Sequence, residues 1–440
     1  MTWPRVFELP YREDASEYFS VIKEMPWPVW LDSGRPVLSQ GRYDILAAAP
    51  IDMLQLDVGL AGEVPLRLRE LLGQHQDCPD GVPFCGGLIG FMSYELGRAW
   101  QGLPESSNER LAPDLCAGLY DWALVVDHYR QSAVLAAAGR SKKTRGQWHG
   151  LCELFRQAVS HETHDNFSAG SLIEIHDQQS YRTGFEKIQR YIREGDIYQV
   201  NFTRRFEAKV EASAWSLYQK LRTISPAPYG AYLSFPDFQV LSNSPEQFVG
   251  LQDGHVQTRP IKGTRPRGTD RQHDARLRAD LAASEKDRAE NLMIVDLLRN
   301  DLGRVCVPGS IDVPELFAIE SYATVHHLVS TVRGMLIPGQ DAVDLLLACF
   351  PGGSITGAPK LRAMQIIDEL ESVSRELYCG SIFRLGFDGA LDSSISIRTL
   401  LKCNEDLYYW AGGGIVADSA CDAELQESLD KAAVFFKLLD

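Results

Sequence analysis

The sequence predicts a largely antiparallel α/β or α+β protein. Apolar segments of strand length recur in pairs joined by short turns, Asp253-Gly254 being the strongest hairpin signal. Segments with apolar residues at helical spacing fall between these pairs. The chain has 440 residues, 45% hydrophobic and 23% charged. That suffices for a large core and exceeds one minimal domain.

Residues 1–160 read as a mixed unit of short strands and helices. Within it, "DLCAGLYDWALVVDHYRQSAVLAAAGR" predicts two apolar strands joined near His128–Gln131. A polar stretch around His161–Ser171 is the linker candidate, and residues 175–440 form the second unit. Ser180 caps a helix in which Phe185, Ile188 and Ile192 recur at helical spacing, and Gly195 ends it. "DIYQVNFTRRFEAKV" is a strand, followed by "YGAYLSF" and the hairpin through "FQVLSNSPEQFVGLQDGHVQTRPIKGT". Helix "SEKDRAENLMIVDLLRNDLGR" starts with a capping box at Ser284 and Asp287 and stops at Gly303. "DAVDLLLACF" and "APKLRAMQIIDELE" are helices flanking a glycine-rich loop, with Pro359 in the first turn of the second. "SISIRTLLK" and "LYYWAGGGIVADS" are strands around a polar turn, and "DAELQESLDKAAVFFKLL" is the closing helix.

Lys and Arg number 44 against 59 Asp and Glu, a net charge of -15. This disfavours nucleic acid or an anionic membrane as the main partner and leaves an anionic small molecule open. The nine cysteines are scattered and form no C-x-x-C pair, so reduced cytoplasmic thiols are expected, not a zinc site or disulfide framework. The start, "MTWPRVFELPYRED", is not the pattern of a signal peptide, and no apolar run reaches membrane-spanning length.

Several constellations invite chemistry. An unbroken two-residue hairpin at Asp253-Gly254 places Glu246 opposite Ile261 and so near Lys262. The pair is either a solvated ion pair or a reacting pair. An ordinary lysine pKa of about 10.4 leaves about one in two thousand neutral at pH 7, and only the neutral amine attacks. Burial and nearby cations, here Arg259, Arg265 and Arg267, lower that pKa. Glu246, held neutral, could serve as a general acid. "GGSITGAPK" is either a plain turn or an anion cradle at a helix start, and its lysine spacing is not that of a P-loop. "AGGGIV" is either a bulge or a strand end that a ligand approaches closely. Glu424, Glu427 and Lys431 share a helix face. With Glu290 from a distant helix, Glu427 could hold Mg²⁺ if these are not simply solvated charges. Arg398, in an apolar alternation, needs a carboxylate from protein or ligand. His327 is a lone histidine after a strand.

Taken together, "DIYQVNFTRR", "SNSPEQF", "RPIKGTRPRG", "AENLMIVDLLRNDLGR", "HHLVSTVRG", "CFPGGSITGAPK", "YCGSI", "SIRTL", "AGGGIVADS" and "ELQESLDKA" resemble the chorismate-utilising enzymes. The resemblance runs from Ser180 to Leu438, and "LDSGRP" and "GRYDILAAAP" are similar to the family's N-terminal domain. It implies large antiparallel sheets packed as a sandwich with flanking helices. The "PIKGT" motif is similar to that of members that aminate ring C4; anthranilate synthases typically carry alanine at the lysine position. Isochorismate and salicylate synthases place a water-activating lysine where this chain has Gln199.

The resemblance implies that Lys262 attacks ring C2 while Glu246 protonates the leaving 4-hydroxyl, and that ammonia then displaces the lysine to give 4-amino-4-deoxychorismate. It makes His327 a third catalytic-site residue and gives Glu290 and Glu427 to Mg²⁺. Substrate contacts fall to Gln199, Thr264, Ser354 and Thr356. The enolpyruvyl side falls to Tyr378, Arg398, Gly412, Gly413, Gly414 and Lys431. Ser33, Arg42, Tyr43, Asp44, Pro228 and Tyr229 match the region where the family can hold tryptophan, a candidate tryptophan pocket. No glutaminase-like segment is seen, so a separate glutamine amidotransferase is the expected ammonia source. Two departures stand out: Phe383-Arg384 where the family commonly has Gly-Tyr, and "ADSACDAE", which lacks the usual Pro-Glu. The rival readings are an anthranilate synthase and a silent tryptophan- or chorismate-binding regulator.

Overall fold

The computed structural model describes residues 3–36, 38, 41–105, 110–158, 168–174, 178–322 and 325–440. All strand pairs in them are antiparallel, as the hairpin pattern predicts. Among the described residues a twelve-stranded sheet runs in the order Arg5–Leu9, Ser132–Ala137, Trp122–Asp127, Tyr43–Ala47, Val29–Asp32 and Tyr229–Ser234. It continues through Gln239–Ser244, Thr399–Cys403, Asp406–Ile415, Gln199–Glu211 and Gly357–Ala358, with Ser168–Glu174 also on Gln199–Glu211. A ten-stranded sheet runs Ile261–Pro266, Val325–Met335, His255–Arg259, Gln247–Gln252, Leu391–Ile395, Ser381–Gly386, Gly87–Met92, Leu115–Tyr120 and Asp52–Leu56. Asp312–Ser321 pairs with Val325–Met335. Both sheets draw strands from residues 1–160 and from residues 175–440.

Alternation along the strands builds two cores. Ala123 and Val125 face the layer between the sheets, with Leu88, Ile89, Phe248 and Leu391. Leu124 and Val126, one residue out of phase, pack under the helices with Phe19, Phe155, Tyr218 and Phe435. Each fully buried aliphatic or aromatic side chain contributes roughly 1.5–3 kcal/mol, so the period-two pattern locks each strand's register. No helix among the described residues is long and apolar enough to cross a membrane.

Several expectations are corrected. Residues 115–137 form three strands, not two: Leu115–Tyr120 joins one sheet and Trp122–Asp127 the other. The switch is Asp121, whose buried carboxylate accepts from Arg140 N and Ser141 N. Of the linker candidate, His161–Phe167 lie outside the described residues, and Ser168 already belongs to strand Ser168–Glu174. Ser180 is inside helix Gln178–Glu194 rather than capping it; Tyr181, stacked on Phe202 with ring centres 5.1 Å apart, draws the first turn onto the sheet. Ser284 does accept from Asp287 N, and Gly303 ends that helix, although in right-handed conformation. Pro359 precedes helix Lys360–Leu370 instead of lying in it.

The hairpin correction bears on the site. Asp253 and Gly254 both take positive φ, 51° and 77°, the type I′ signature. Pairing holds through Gly250↔Gln257 and then slips by one, so that Gln247 faces Arg259. The slip is a bulge at Phe248–Val249, held by Thr258 Oγ1 donating to Phe248 O at 2.5 Å and Val249 N donating to Ser393 Oγ at 3.2 Å. Glu246 is therefore not opposite Ile261 in a regular ladder; the Ile261 N–H instead reaches its carboxylate.

Candidate active site

Lys262 lies on strand Ile261–Pro266, beside Gly263 with φ 85°. A Cβ at Gly263 would sit 2.8–2.9 Å from Asp287 and Leu281 side chains. Glycine is needed there so that helix Glu285–Leu302 can lie against the strand and bring Glu290 toward Lys262. The Lys262 Nζ donates to Ser354 O at 3.1 Å. Burial pushes its pKa down; the carboxylates of Glu290 and Glu246 oppose this, and Lys431 adds to it. The expected push from three arginines is not found. Arg259 pairs with Glu320, Arg265 with Asp280 and Asp287, and Arg267 with Asp274, so each is neutralised locally.

Glu246 is 5% exposed. Burial pushes its carboxyl up to about 7, against Lys262, the Ser354 hydroxyl and the Ile261 amide, which favour the ionised form. The Ser354 Oγ donates to Glu246 Oε1 at 3.1 Å. Ser354 thus touches both Lys262 and Glu246, with its carbonyl on the first and its hydroxyl on the second. Thr356 does not: its buried hydroxyl donates to Gly352 O at 3.0 Å. Lys360 points away into a buried pair with Asp301 at 2.7 Å.

The carboxylate group comes from two helices. Burial raises Glu290, and Lys286 lies 4.0 Å away. Burial works to raise Glu427 too, although its side chain is 47% exposed, and Lys431 at 2.8 Å brings its pKa below the ordinary value. Lys431 also donates to Gly412 O at 2.9 Å. Glu424 shares this face but was not assigned to the site by sequence; it is 3% exposed. Its Oε1 accepts from Ser419 Oγ at 2.6 Å, while Oε2 is buried without a hydrogen-bond partner. Gly413 lies against it: a Cβ there would sit 3.1 Å from Glu424 Oε2 and 3.4 Å from Glu427 Oε1. Among the described residues no three His, Cys, Asp or Glu side chains gather into a ready metal cage. The orphaned oxygen beside Glu427, with Glu290 close enough to be raised by Glu427, fits a divalent cation that keeps several waters.

Gly412, Gly413 and Gly414 pair regularly with Thr203, Phe202 and Asn201; there is no bulge. Strand Thr399–Cys403 stops pairing at Leu400↔Tyr409, so beyond Tyr409 the glycines have an open second edge. Gln199 is 1% exposed with Oε1 unpartnered, and a Cβ on Gly414 would lie 2.0 Å from its Nε2. Arg398, with φ 51°, has no ion pair among the described residues. Its pKa is lowered by burial, with no carboxylate among the causes that oppose this. Burial, then Arg398 and His326, push His327 down to about 3, so its imidazole is neutral, with Nδ1 2.9 Å from Thr264 Oγ1. Thr264 is itself exposed. Burial raises the Tyr378 phenol well above its ordinary value, with the Asn201 side chain as a hydrogen-bond neighbour.

A cavity of about 300 Å³ lies between the sheets, beside this group of residues. Ser33, Arg42, Tyr43, Pro228 and Tyr229 line it, as do Phe383 and Arg384. Asp44 lies behind the wall, accepting from Ser33 N at 2.6 Å and contacting His128 Nε2 at 2.7 Å. Ile261, the neighbour of Lys262, belongs to the same wall.

The chain is similar to known proteins over most of its length. The family model described as chorismate binding enzyme matches residues 38–437. Aminodeoxychorismate synthase component 1 of Salmonella typhimurium is 44% identical over 97% of this chain and 96% of that protein. Anthranilate synthase component 1 of Bacillus subtilis is 38% identical over 82% of this chain and 74% of that protein. The crystal structure of anthranilate synthase component I from Streptococcus pneumoniae superposes with a TM-score of 0.80 at 31% identity, covering 89% of this chain and 92% of that one.

Proposed function

The chain belongs to the chorismate binding enzymes, and on that premise we propose that it aminates chorismate at ring C4 as the large component of an aminodeoxychorismate synthase. One observation carries the reading: an amine whose pKa burial lowers shares a serine with a carboxyl pushed up to about 7. Neutral Lys262 bonds to ring C2, both ring double bonds shift by one position, and the C4–O bond breaks. Glu246 gives its proton to the departing oxygen, which leaves as water. The proton shed by the alkylated lysine returns to Glu246. Ammonia then bonds to C4, both double bonds shift back, and Lys262 leaves C2 as an amine protonated by Glu246. The surplus proton of the new ammonium returns to Glu246. The sum is chorismate and ammonia to 4-amino-4-deoxychorismate and water, a step toward p-aminobenzoate and folate.

Glu290, Glu427 and the free Glu424 oxygen would hold Mg²⁺, which supplies positive charge to the ring carboxylate when bound. Arg398, Tyr378 and the open edge at Gly412–Gly414 receive the enolpyruvyl carboxylate. Neutral His327 orients the ring without adding charge, and Gln199 supplies no base for water. Lys431 carries charge to the site through Glu427. Ammonia comes from a separate glutamine amidotransferase, in the cytoplasm, where nine free thiols stay reduced. The inter-sheet cavity takes tryptophan.

The protonation states fix a pH profile. Neutral Lys262 with protonated Glu246 holds the same number of protons as charged Lys262 with ionised Glu246. The rate therefore rises with pH up to about 7, where Glu246 titrates, stays level, and falls where Lys262 loses its proton.

The test supplies chorismate, ammonium and Mg²⁺ to the chain. The expected product is the 4-amino compound, and Lys262→Ala is expected to abolish it. Fluorescent anthranilate would overturn the C4 assignment in favour of the anthranilate synthase reading, and unchanged chorismate would favour the silent binder.

A further inference from the structure

Arg375 and Glu371 belong to none of the groups assigned to the reaction. Arg375 is 1% exposed and grips Glu371 with a two-pronged bond, Nε to Oε2 at 2.8 Å and Nη2 to Oε1 at 2.7 Å. Its other bonds go to backbone: Nη1 to Ile355 O at 3.1 Å and Nη2 to Asn201 O at 2.6 Å. Glu371 in turn accepts from Thr203 N at 3.0 Å and Thr203 Oγ1 at 2.8 Å. The Tyr94 ring supports the guanidinium at 4.9 Å.

A buried ion pair is a weak source of net stability, because desolvation offsets much of the attraction. An apolar pair of the same volume could fill this space. What it could not do is fix two carbonyls. Asn201 O lies on the strand that carries Gln199 and faces Gly414. Ile355 O follows Ser354 directly, and the next residue is pinned too, with Asn201 N donating to Thr356 O at 2.9 Å. Ser354 is therefore held from its C-terminal side at the place where its carbonyl meets Lys262 and its hydroxyl meets Glu246.

We propose that Arg375 is a positioning residue for the amination: through Ile355 it holds Ser354 in the one orientation that serves Lys262 and Glu246 together. The inference rests on the reading of that pair given above. Arg375 touches neither reacting group, so its effect travels through Ser354, and its loss lowers turnover more than chorismate binding. It also moves the acid limb of the pH profile. The Ser354 hydroxyl favours ionised Glu246; without it that carboxyl titrates higher and the limb shifts to higher pH.

The experiment uses the full chain with chorismate, ammonium and Mg²⁺. Arg375→Met combined with Glu371→Gln leaves no unpaired buried charge and keeps an acceptor for Thr203. Arg375→Lys, which keeps the charge but loses the fork, is the second variant should the first not fold. The expected result is a fall in kcat of about 10- to 100-fold, a smaller change in KM for chorismate, and an acid limb moved upward. Ser354→Ala should move the limb the same way, and the combined variant should lose less than the product of the separate losses. A folded variant with unchanged kcat and pH profile overturns the proposal, as does full multiplicativity with Ser354→Ala. Lys262→Ala is measured alongside. If it retains full activity, the reading of the reaction falls and this proposal with it. If it is inactive while the Arg375 variant matches the unaltered chain, only the proposal falls.

Discussion

Replacing Glu246 by glutamine tests the proposed proton donor directly. The productive form, neutral Lys262 with protonated Glu246, is populated relative to the ion pair according to the gap between the two pKa values. With ordinary values of 10.5 and 4.5 it amounts to about one pair in a million. Burial raises Glu246 to about 7 and enlarges that population about 300-fold, equivalent to about 3 kcal/mol. The lowered lysine enlarges it further. Glutamine has no transferable proton, and losing a general acid costs about 100- to 10,000-fold. It also removes a carboxylate that raises Lys262, so the lysine becomes easier to deprotonate while the leaving group is stranded. The assay is kcat/KM for chorismate at constant free ammonia across about pH 6 to 9. The unaltered chain should rise to a plateau from about 7. Glu246→Gln should lie about 100-fold or more below it and keep rising past that point toward the lysine's own titration. A variant within about tenfold of the unaltered rate, or one whose acid limb stays where it was, refutes the assignment.

The same substitution should stabilise the fold. The carboxyl is raised on folding, so the stability it contributes is full below the unfolded value of 4.5 and is lost as pH rises through about 7; urea midpoints of Glu246→Gln should therefore overtake the unaltered chain above neutrality. His327 has the opposite sign. Its pKa drops from 6.5 to about 3 on folding, so stability present above 6.5 declines toward acid by at most about 1.4 kcal/mol per pH unit, and His327→Asn should flatten that decline. Gly414→Ala places a Cβ 2.0 Å from Gln199 Nε2 and should cost about 1–3 kcal/mol in thermal unfolding. Adding Gln199→Ser should restore most of that stability, and failure to do so would show that the collision is not with Gln199.

The antiparallel class, the closing helix and the Glu427–Lys431 face were legible because they rest on local periodicity and turn chemistry. Asp253-Gly254 needs positive φ at both positions and announces its turn. What happens after Gly250 was not legible: the bulge is set by Thr258 and Ser393, the latter on a strand far along the chain. Helix Arg271–Ala283 escaped because only Leu281 among its residues is buried, leaving no apolar stripe to read; Asp270, which accepts from Gln272 N and His273 N, was the available signal. The arginines around Lys262 misled for a related reason, since their neutralising carboxylates lie on other elements. Glu424 needed the knowledge that Gly413 would press against it. Arg375 needed knowledge of which carbonyls it meets, which no pattern of residue types contains.

These long-range contacts also explain how a chain of charge -15 can serve an anionic substrate. Screening over about 8 Å at physiological ionic strength makes the net charge a poor guide to a pocket, and what counts is which charges are already answered. Arg259, Arg265 and Arg267 are answered by nearby carboxylates, whereas Arg398 is left open and Lys262 meets only a carbonyl within hydrogen-bond reach. Among the carboxylates, Glu427 is answered by Lys431 and Glu424 keeps a free oxygen. Under the proposed reading, a dicarboxylate would meet the unanswered guanidinium, and a divalent cation bound with it would meet the unanswered oxygen. Burial favours the neutral forms of Lys262 and Glu246 and by the same desolvation works against a lone charge, so under that reading an arriving anion is held by the opposite charges it meets and not by burial itself.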